Sequence, residues 1–273
     1  MTASPTDVVS ASVSSFAPGL LRGQVAVITG GGSGIGLELA RAMGQLGCKL
    51  VLAGRKVERI EAAATALQEA GHEVVGTRVD IRDAGDCERL MATAVERFGR
   101  LDILINNAGA NFLAPALQIT PNGWRTIIDI VLTGTFFASQ AAGRVMAEQG
   151  SGLILMNSGA NALIGSPLMA HSGAGKAGMN SLVQTLAIEW APFGVRVNGV
   201  APGAVETPGA NERLWPTPEL REKFANAIPL KRFASPDDVV GSFLFLCSPA
   251  ARYLTGTTLV VDGGSVLRTL PEF

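Results

Sequence analysis

Gln24-Val25-Ala26-Val27-Ile28-Thr29 runs without interruption into Gly30-Gly31-Gly32-Ser33-Gly34-Ile35-Gly36. The first six residues are mostly apolar and β-branched, the composition of a strand buried on both faces. The turn after them needs residues without a Cβ, both for positive φ and to let backbone approach a pyrophosphate at the next helix N-terminus. A glycine-rich turn alone is weak evidence. Its position between a first strand and a first helix gives it the reading of a dinucleotide-binding element, with Gly30, Gly32, Ser33, Gly34, Ile35 and Gly36 as the contact residues.

Outward from this turn, short apolar runs alternate with longer amphipathic ones. Strands are expected at 24–29, 49–53, 73–79, 102–106, 152–157, 195–201 and 257–262. Helices are expected at about 35–47, 56–70, 83–98, 121–148, 172–191 and 235–247. The last opens on Ser235-Pro236-Asp237-Asp238, a cap, a first-turn proline and an acidic first turn. This alternation predicts an α/β fold, a doubly wound, Rossmann-type parallel sheet of about seven strands with helices on both faces. No break is long enough for a linker, so residues 21–273 read as a single domain. Residues 205–230, with their prolines and mixed charge, read as a mobile excursion over a site. Residues 1–20, rich in Ser, Ala and Pro, read as a flexible tail without the features of a secretory signal.

Composition excludes several function classes. In 273 residues, 22 basic side chains balance 23 acidic ones, leaving no electrostatic footprint for nucleic acid or an anionic membrane. No uncharged apolar stretch of about 20 residues predicts a membrane span. Three scattered cysteines, Cys48, Cys87 and Cys247, suggest neither disulfides nor a metal site, and point to a reducing compartment. The C-terminus, Leu270-Pro271-Glu272-Phe273, is not a Ser-Lys-Leu type of peroxisomal address, which leaves the cytoplasm as the expected location. A small-molecule partner is expected.

The second strand ends in Gly54-Arg55-Lys56, where an NAD-preferring protein usually carries an acidic residue for the ribose 2′-hydroxyl. A cation there favours NADP(H), with Arg55 paired to the 2′-phosphate and Lys56 a solvated charge.

Beyond the glycine turn stand Asp80 and Ile81 after the third strand, Asn106-Asn107-Ala108-Gly109 after the fourth, and Lys176 on a helix. Pro202-Gly203-Ala204-Val205-Glu206-Thr207 follows the sixth strand. Together these resemble the short-chain dehydrogenase/reductase family from about Gln24 to Gly264. The resemblance implies that Asp80 and Ile81 meet the adenine and that Asn107, Ala108 and Gly109 flank the cofactor ribose. It also implies that Pro202, Gly203, Ala204, Val205 and Thr207 meet the nicotinamide end, and that Lys176 binds its ribose. A homotetramer built through helices 121–148 and 172–191 is implied as well.

The family pattern Tyr-x-x-x-Lys is altered. Ser172 stands four residues before Lys176, Gly159 stands where a serine is usual, and Val131 occupies the place of an asparagine. The sole tyrosine, Tyr253, lies far from these motifs and reads as a packing residue. A serine hydroxyl lacks the acidity of a lysine-assisted phenol, so ordinary alcohol/ketone interconversion is disfavoured.

The stretches 106–112, 129–135 and 171–178, together with 16–25, are similar to 2,4-dienoyl-CoA reductases and peroxisomal trans-2-enoyl-CoA reductases. Reduction of a carbon–carbon double bond conjugated to a thioester requires stabilisation of an enolate oxygen. The resemblance therefore implies an acyl thioester substrate, with Lys176, Ser172, Asn161 and Thr133 as the reacting-end residues. The competing explanation for Ser172 is an N-cap or first-turn residue of its helix, and His171 reads as structural. Asn161 is divided between oxyanion donor and turn residue. Arg213, Arg221 and Lys223 read as solvated charges, and Trp215 and Phe224 as pocket-lining. Two alternatives stay open: a carbonyl reductase using Ser172 or His171, and an NADP-binding protein without turnover.

Overall fold

The computed structural model describes residues 10–215 and 217–267. Seven parallel strands lie in the order β3-β2-β1-β4-β5-β6-β7. They are β1 (Val25–Thr29), β2 (Lys49–Gly54), β3 (Val74–Arg78), β4 (Ile103–Asn106), β5 (Gly152–Asn157), β6 (Val195–Pro202) and β7 (Thr258–Val261). The expected strands all form, within a few residues of their expected ends. Strand order reverses between β1 and β4, so the crevice for a ligand opens there, at the carboxyl ends of the strands.

Both faces are covered. Ala26, Ile28, Leu50 and Leu52 point into one core with α2 (Gly34–Gln45), α3 (Val57–Glu69) and α10 (Pro236–Cys247). Val25, Val27, Val51 and Leu104 point into the other, with α4 (Ala84–Phe98), α5 (Pro121–Ile128), α6 (Gly134–Gln149) and α7 (Ala170–Trp190). Period-two alternation with apolar residues on both sides is what produced the continuous apolar runs in the sequence.

Residues 121–149 form one helix of α5 and α6 joined by a π-helical turn, Asp129–Thr133. This helix is long and apolar enough to cross a membrane by length and composition, but 56% of its most apolar window is buried. Its apolar side, including Ile127, Ile130, Ala138 and Met146, belongs to the core.

The tail expectation needs correction over residues 10–20; residues 1–9 lie outside those described. Helix α1 (Ala11–Ser14) packs on α10, with Val13 buried and Ser12 bonded to Asp237 through its backbone N–H at 3.2 Å and its hydroxyl. Phe16 and Leu20 rest on the core beside α2 and α10. Three apolar side chains spaced over eight residues were enough to dock a segment whose composition suggested a tail.

The 205–230 excursion contains α8 (Pro208–Leu214) and α9 (Pro218–Ala227), each started by a Thr-Pro pair whose threonine hydroxyl caps the first turn. Trp215 between them packs against Phe233 at 4.8 Å and Phe224 at 6.1 Å. Arg221 pairs with Glu206 and lies over the Phe233 ring, so it is a tethering cation rather than a solvated one.

The cap expected at Ser235 is present as a reciprocal box. The Asp238 N–H donates to Ser235 Oγ at 3.2 Å, and the Ser235 N–H donates to the Asp238 carboxylate at 2.7 Å. Arg232 grips the same carboxylate at 2.7 and 2.9 Å and holds its pKa well below the ordinary range. Ser235→Ala is expected to cost about 1 kcal/mol in urea unfolding. Because the Asp238 pKa is depressed in the fold, its stabilisation is full above the ordinary Asp range and fades as pH drops below it.

Candidate active site

A crevice of about 350 Å³ lies over the β1/β4 switch point. Gly30, Ser33, Gly34 and Ile35 line it from the glycine turn, Arg55 from β2, Asp80 and Ile81 from beyond β3, Asn107, Ala108 and Gly109 from beyond β4, and Thr207 from beyond β6. Thr207 also caps α8, accepting from the Ala210 N–H at 3.2 Å. Asn157 and Ile130, which the sequence reading did not single out, also line it, as do Ala53, Gly54 and Val79.

The glycine turn is built for close approach. Gly30 has φ +67° and lies against the Ala108 backbone, with 3.0 Å from its hypothetical Cβ to Ala108 Cα. At Gly36 a Cβ would lie 2.4 Å from both Gly30 O and Asn107 Nδ2, so α2 can begin directly under the turn only with glycine there. Gly32 faces the α3 backbone instead, and Gly36 faces the turn itself. These two therefore shape the cradle from behind rather than lining it.

Asp80 lines the crevice from beyond β3, and Arg82 holds it in a fork, with Arg82 Nε 2.9 Å from Oδ1 and 3.1 Å from Oδ2. This grip lowers the Asp80 pKa, and Arg55 adds to the effect. Of the segment after β6, only Thr207 reaches the crevice. Pro202 pairs with Val261 in the sheet, and Gly203 packs on Asp262. Val205 is buried in a bridge with Ala234, whose N–H donates to the Ala204 carbonyl at 2.9 Å. These four residues steer the chain toward Thr207.

Beside the crevice, α7 presents Lys176 and Ser172. The helix begins at Ala170, two residues earlier than expected, with Met169 at the cap position and no side-chain cap. Ser172 is consequently the third residue of the helix, in its first turn and not at the cap, so capping does not account for its hydroxyl. Its buried hydroxyl accepts from Asn161 Nδ2 at 3.2 Å. Lys176 sits in the second turn, where the helix dipole has largely faded, so the macrodipole argument for a ligand does not apply. Burial is the stronger force: it pushes the Lys176 pKa down to about 8. Its ammonium donates to the Asn157 carbonyl.

Gly159 explains the placement of Asn161. A Cβ at position 159 would lie 2.6 Å from Asn161 Oδ1, so the amide fills space that a serine there would need. Val131 has a comparable account: it packs against Gly175 of α7, at 3.0 Å from a hypothetical Cβ, where the shorter residue makes room for it. Thr133 ends the π-helical turn and has no hydrogen bond to Ser172, Asn161 or Lys176 among the described residues.

His171 is fully buried, edge-on to Phe112 at 4.2 Å, and accepts the Ser172 N–H at 2.8 Å through Nδ1. Burial lowers its pKa, which favours the neutral ring near pH 7, and its Nε2 is buried without a partner among the described residues. Tyr253 is 99% exposed, not packed. It neighbours Leu254, whose carbonyl bonds Arg196 and Asn198 at the amino-terminal half of β6. The crevice opens at the other end of the strands, so no tyrosine among the described residues reaches Lys176. All three cysteines are free and buried, and no metal-ligand cluster occurs among the described residues.

Comparison with known proteins places the chain in a family. Residues 30–266 fit the family model described as enoyl-(acyl carrier protein) reductase. The chain belongs to the short-chain dehydrogenase/reductase family. A probable 2,4-dienoyl-CoA reductase of Bacillus subtilis is 38% identical over 247 residues, 90% of this chain and 97% of that protein. A peroxisomal 2,4-dienoyl-CoA reductase of Arabidopsis thaliana is 37% identical, over 95% of this chain and 91% of the relative. A short chain dehydrogenase from Bacillus anthracis superposes with a TM-score of 0.84 at 36% identity, over 92% of this chain and all of the other. A putative short-chain alcohol dehydrogenase from Sinorhizobium meliloti gives 0.87 at 33%, covering 93% and 100%. This short-chain reductase is an oxidoreductase with a nicotinamide dinucleotide crevice.

Proposed function

We propose that this short-chain reductase transfers hydride from NADPH to the conjugated carbon–carbon double bond of an enoyl or dienoyl thioester. One observation carries the reading: Lys176 stands beside a hydrogen-bonded Ser172–Asn161 pair, with no phenol in reach. That set can stabilise an enolate oxygen but cannot deprotonate an alcohol. The relatives named as dienoyl-CoA reductases support the same substrate class.

The fit of the cofactor rests on the crevice lined by Gly30, Ser33 and Gly34, where a Cβ at Gly30 would press on Ala108 and Asn107 at 3.0 Å, and on Arg55 in the same lining. Bound NADPH supplies the hydride. Gly30, Ser33, Gly34 and Ile35 hold its phosphates, Arg55 its 2′-phosphate, Asn107, Ala108 and Gly109 the ribose region, and Thr207 the nicotinamide end. Lys176 holds the nicotinamide ribose and places positive charge beside the thioester carbonyl. The Ser172 hydroxyl, whose lone pair is taken by Asn161, directs its proton at the developing oxyanion. The carbon is then protonated from water. By family analogy the active protein is a homotetramer, and the cytoplasm is its proposed location.

The test is NADPH oxidation followed at 340 nm with panels of enoyl-CoA and dienoyl-CoA. Turnover with a conjugated thioester and none with simple ketones is expected, and the reverse pattern would overturn the proposal. Arg55→Ala is expected to weaken NADPH roughly 10- to 100-fold, the worth of a charge-assisted bond, while leaving NADH within about twofold. Equal losses for both cofactors would remove Arg55 from the 2′-phosphate.

A further inference from the structure

β5 is apolar from Leu153 to Met156 and then ends on Asn157, a buried polar residue. Its side chain is clamped. Asn107 spends Nδ2 on the Thr29 and Gly30 carbonyls at 3.1 and 3.2 Å, so its Oδ1 must be the atom facing Asn157. Asn157 therefore presents Nδ2 to it, at 2.9 Å, and its own Oδ1 is left buried without a partner. A strand end serving only the sheet would avoid that orphan with an apolar residue. The main chain of the same residue meets Lys176: the Asn157 carbonyl accepts the ammonium, and Ser158 Oγ donates to the Lys176 carbonyl at 3.4 Å. A continuous path of hydrogen bonds thus runs from the glycine turn through Asn107 and Asn157 to Lys176.

We propose that Asn157 is the positioning residue for Lys176: its carbonyl anchors the ammonium, and its side-chain amide, locked on Asn107, fixes that carbonyl relative to the glycine turn. On the opposite side of α7, Val131 and Leu132 of the π-helical turn offer only hydrocarbon, against Gly175 and Gly178. The lysine has no polar holder there. Its surroundings are also nearly free of charge. Residues 150–175 carry no ionisable side chain except His171, and the π-helical turn carries only Asp129. On β6, Arg196 bonds the carbonyls of Leu246, Ala251 and Leu254. The depressed Lys176 pKa has burial as its resolved cause. A new charge at position 157 would therefore register directly on the lysine.

The substrate assignment above enters only the turnover arm of the test. NADPH affinity is measured by fluorescence titration between pH 6 and 10 for the parent, Lys176→Met, Asn157→Asp and Asn157→Ala, with thermal midpoints recorded. Parent affinity should fall as pH rises through about 8, where Lys176 loses its proton, and Lys176→Met should abolish that step. Asn157→Asp should move the step up by roughly one pH unit, because a carboxylate favours the ammonium and repels Asn107 Oδ1. Asn157→Ala should lower kcat with a dienoyl thioester about tenfold, the scale of one lost hydrogen bond of this network, with KM within twofold. A uniform loss of affinity with the step unmoved would show a merely structural role and overturn the proposal, as would parental behaviour of both variants. Should the aspartate variant not fold, Asn157→Ser is judged by the same step. A shifted step in a protein that reduces no thioester would keep the positioning role and overturn the substrate reading instead.

Discussion

Lys176→Met is expected to lower NADPH-dependent turnover roughly 10³-fold, the scale of losing a preorganised charge at a developing oxyanion. Methionine keeps the length and the apolar stem, so packing between α7 and β5 is retained. The fold should be unharmed or slightly more stable near pH 7. Burial holds the Lys176 pKa at about 8, below that of the unfolded chain, so the charged ammonium is disfavoured in the fold below pH 8 and removing it relieves the penalty. The parent enzyme should in turn lose activity as pH rises through about 8, when the ammonium is neutralised. Steady-state kinetics with a thermal melt of the same preparation decide the matter. A methionine variant that turns over at more than a tenth of the parental rate would show that the charge is not used.

Gly36→Ala should damage stability and cofactor binding together. One methyl group would lie 2.4 Å from Gly30 O and from Asn107 Nδ2, far inside contact distance, and both neighbours are backbone or hydrogen-bonded atoms that cannot swing aside. Relief requires α2 to move off the turn. A loss of about 3 kcal/mol in urea unfolding is expected, the upper range for overpacking, with NADPH affinity reduced at least tenfold. Gly165→Ala is the control: nothing lies within 4 Å of its hypothetical Cβ, and stability should stay within about 0.5 kcal/mol of the parent. If both variants melted alike, the close approach of α2 to the turn would not be the constraint.

Helix α7 shows how far the sequence is legible. Ser172 and Lys176 are visible as a pair at a spacing of four, and Asn161 is a plausible third member from resemblance alone. That Ser172 caps nothing was hidden, because the helix start is decided by Met169, by His171 Nδ1 taking the Ser172 N–H, and by Phe112 pinning the ring from another loop. These contacts span about 60 residues of chain and leave no local periodicity. Asn157 escaped notice for the same reason. At the end of an apolar strand it reads as a boundary residue, and its importance lies in partners 50 residues upstream and 19 downstream. Thr133 is the reverse case, named by resemblance and without a hydrogen bond to the cluster among the described residues. Its position in the family pattern invites a role, but the π-helical turn sends Val131 and Leu132 toward α7 and leaves Thr133 without a bond to the cluster.

By itself the sequence determined the parallel sheet, its seven strands and the place of the dinucleotide turn, because these depend on local patterning: two-fold apolar alternation and glycines where a Cβ cannot fit. It also determined which chemistry is missing, since Ser172 stands four residues before Lys176 and the sole tyrosine, Tyr253, lies far from that motif. Tertiary structure alone decided that the N-terminal segment from Ser10 docks on α10 and that Asn161 occupies the space freed by Gly159. It alone decided that Lys176 is held by the end of β5. Each of these follows from packing between segments distant in the chain, where burial makes a hydrogen-bond partner obligatory and shape decides which residue can supply it.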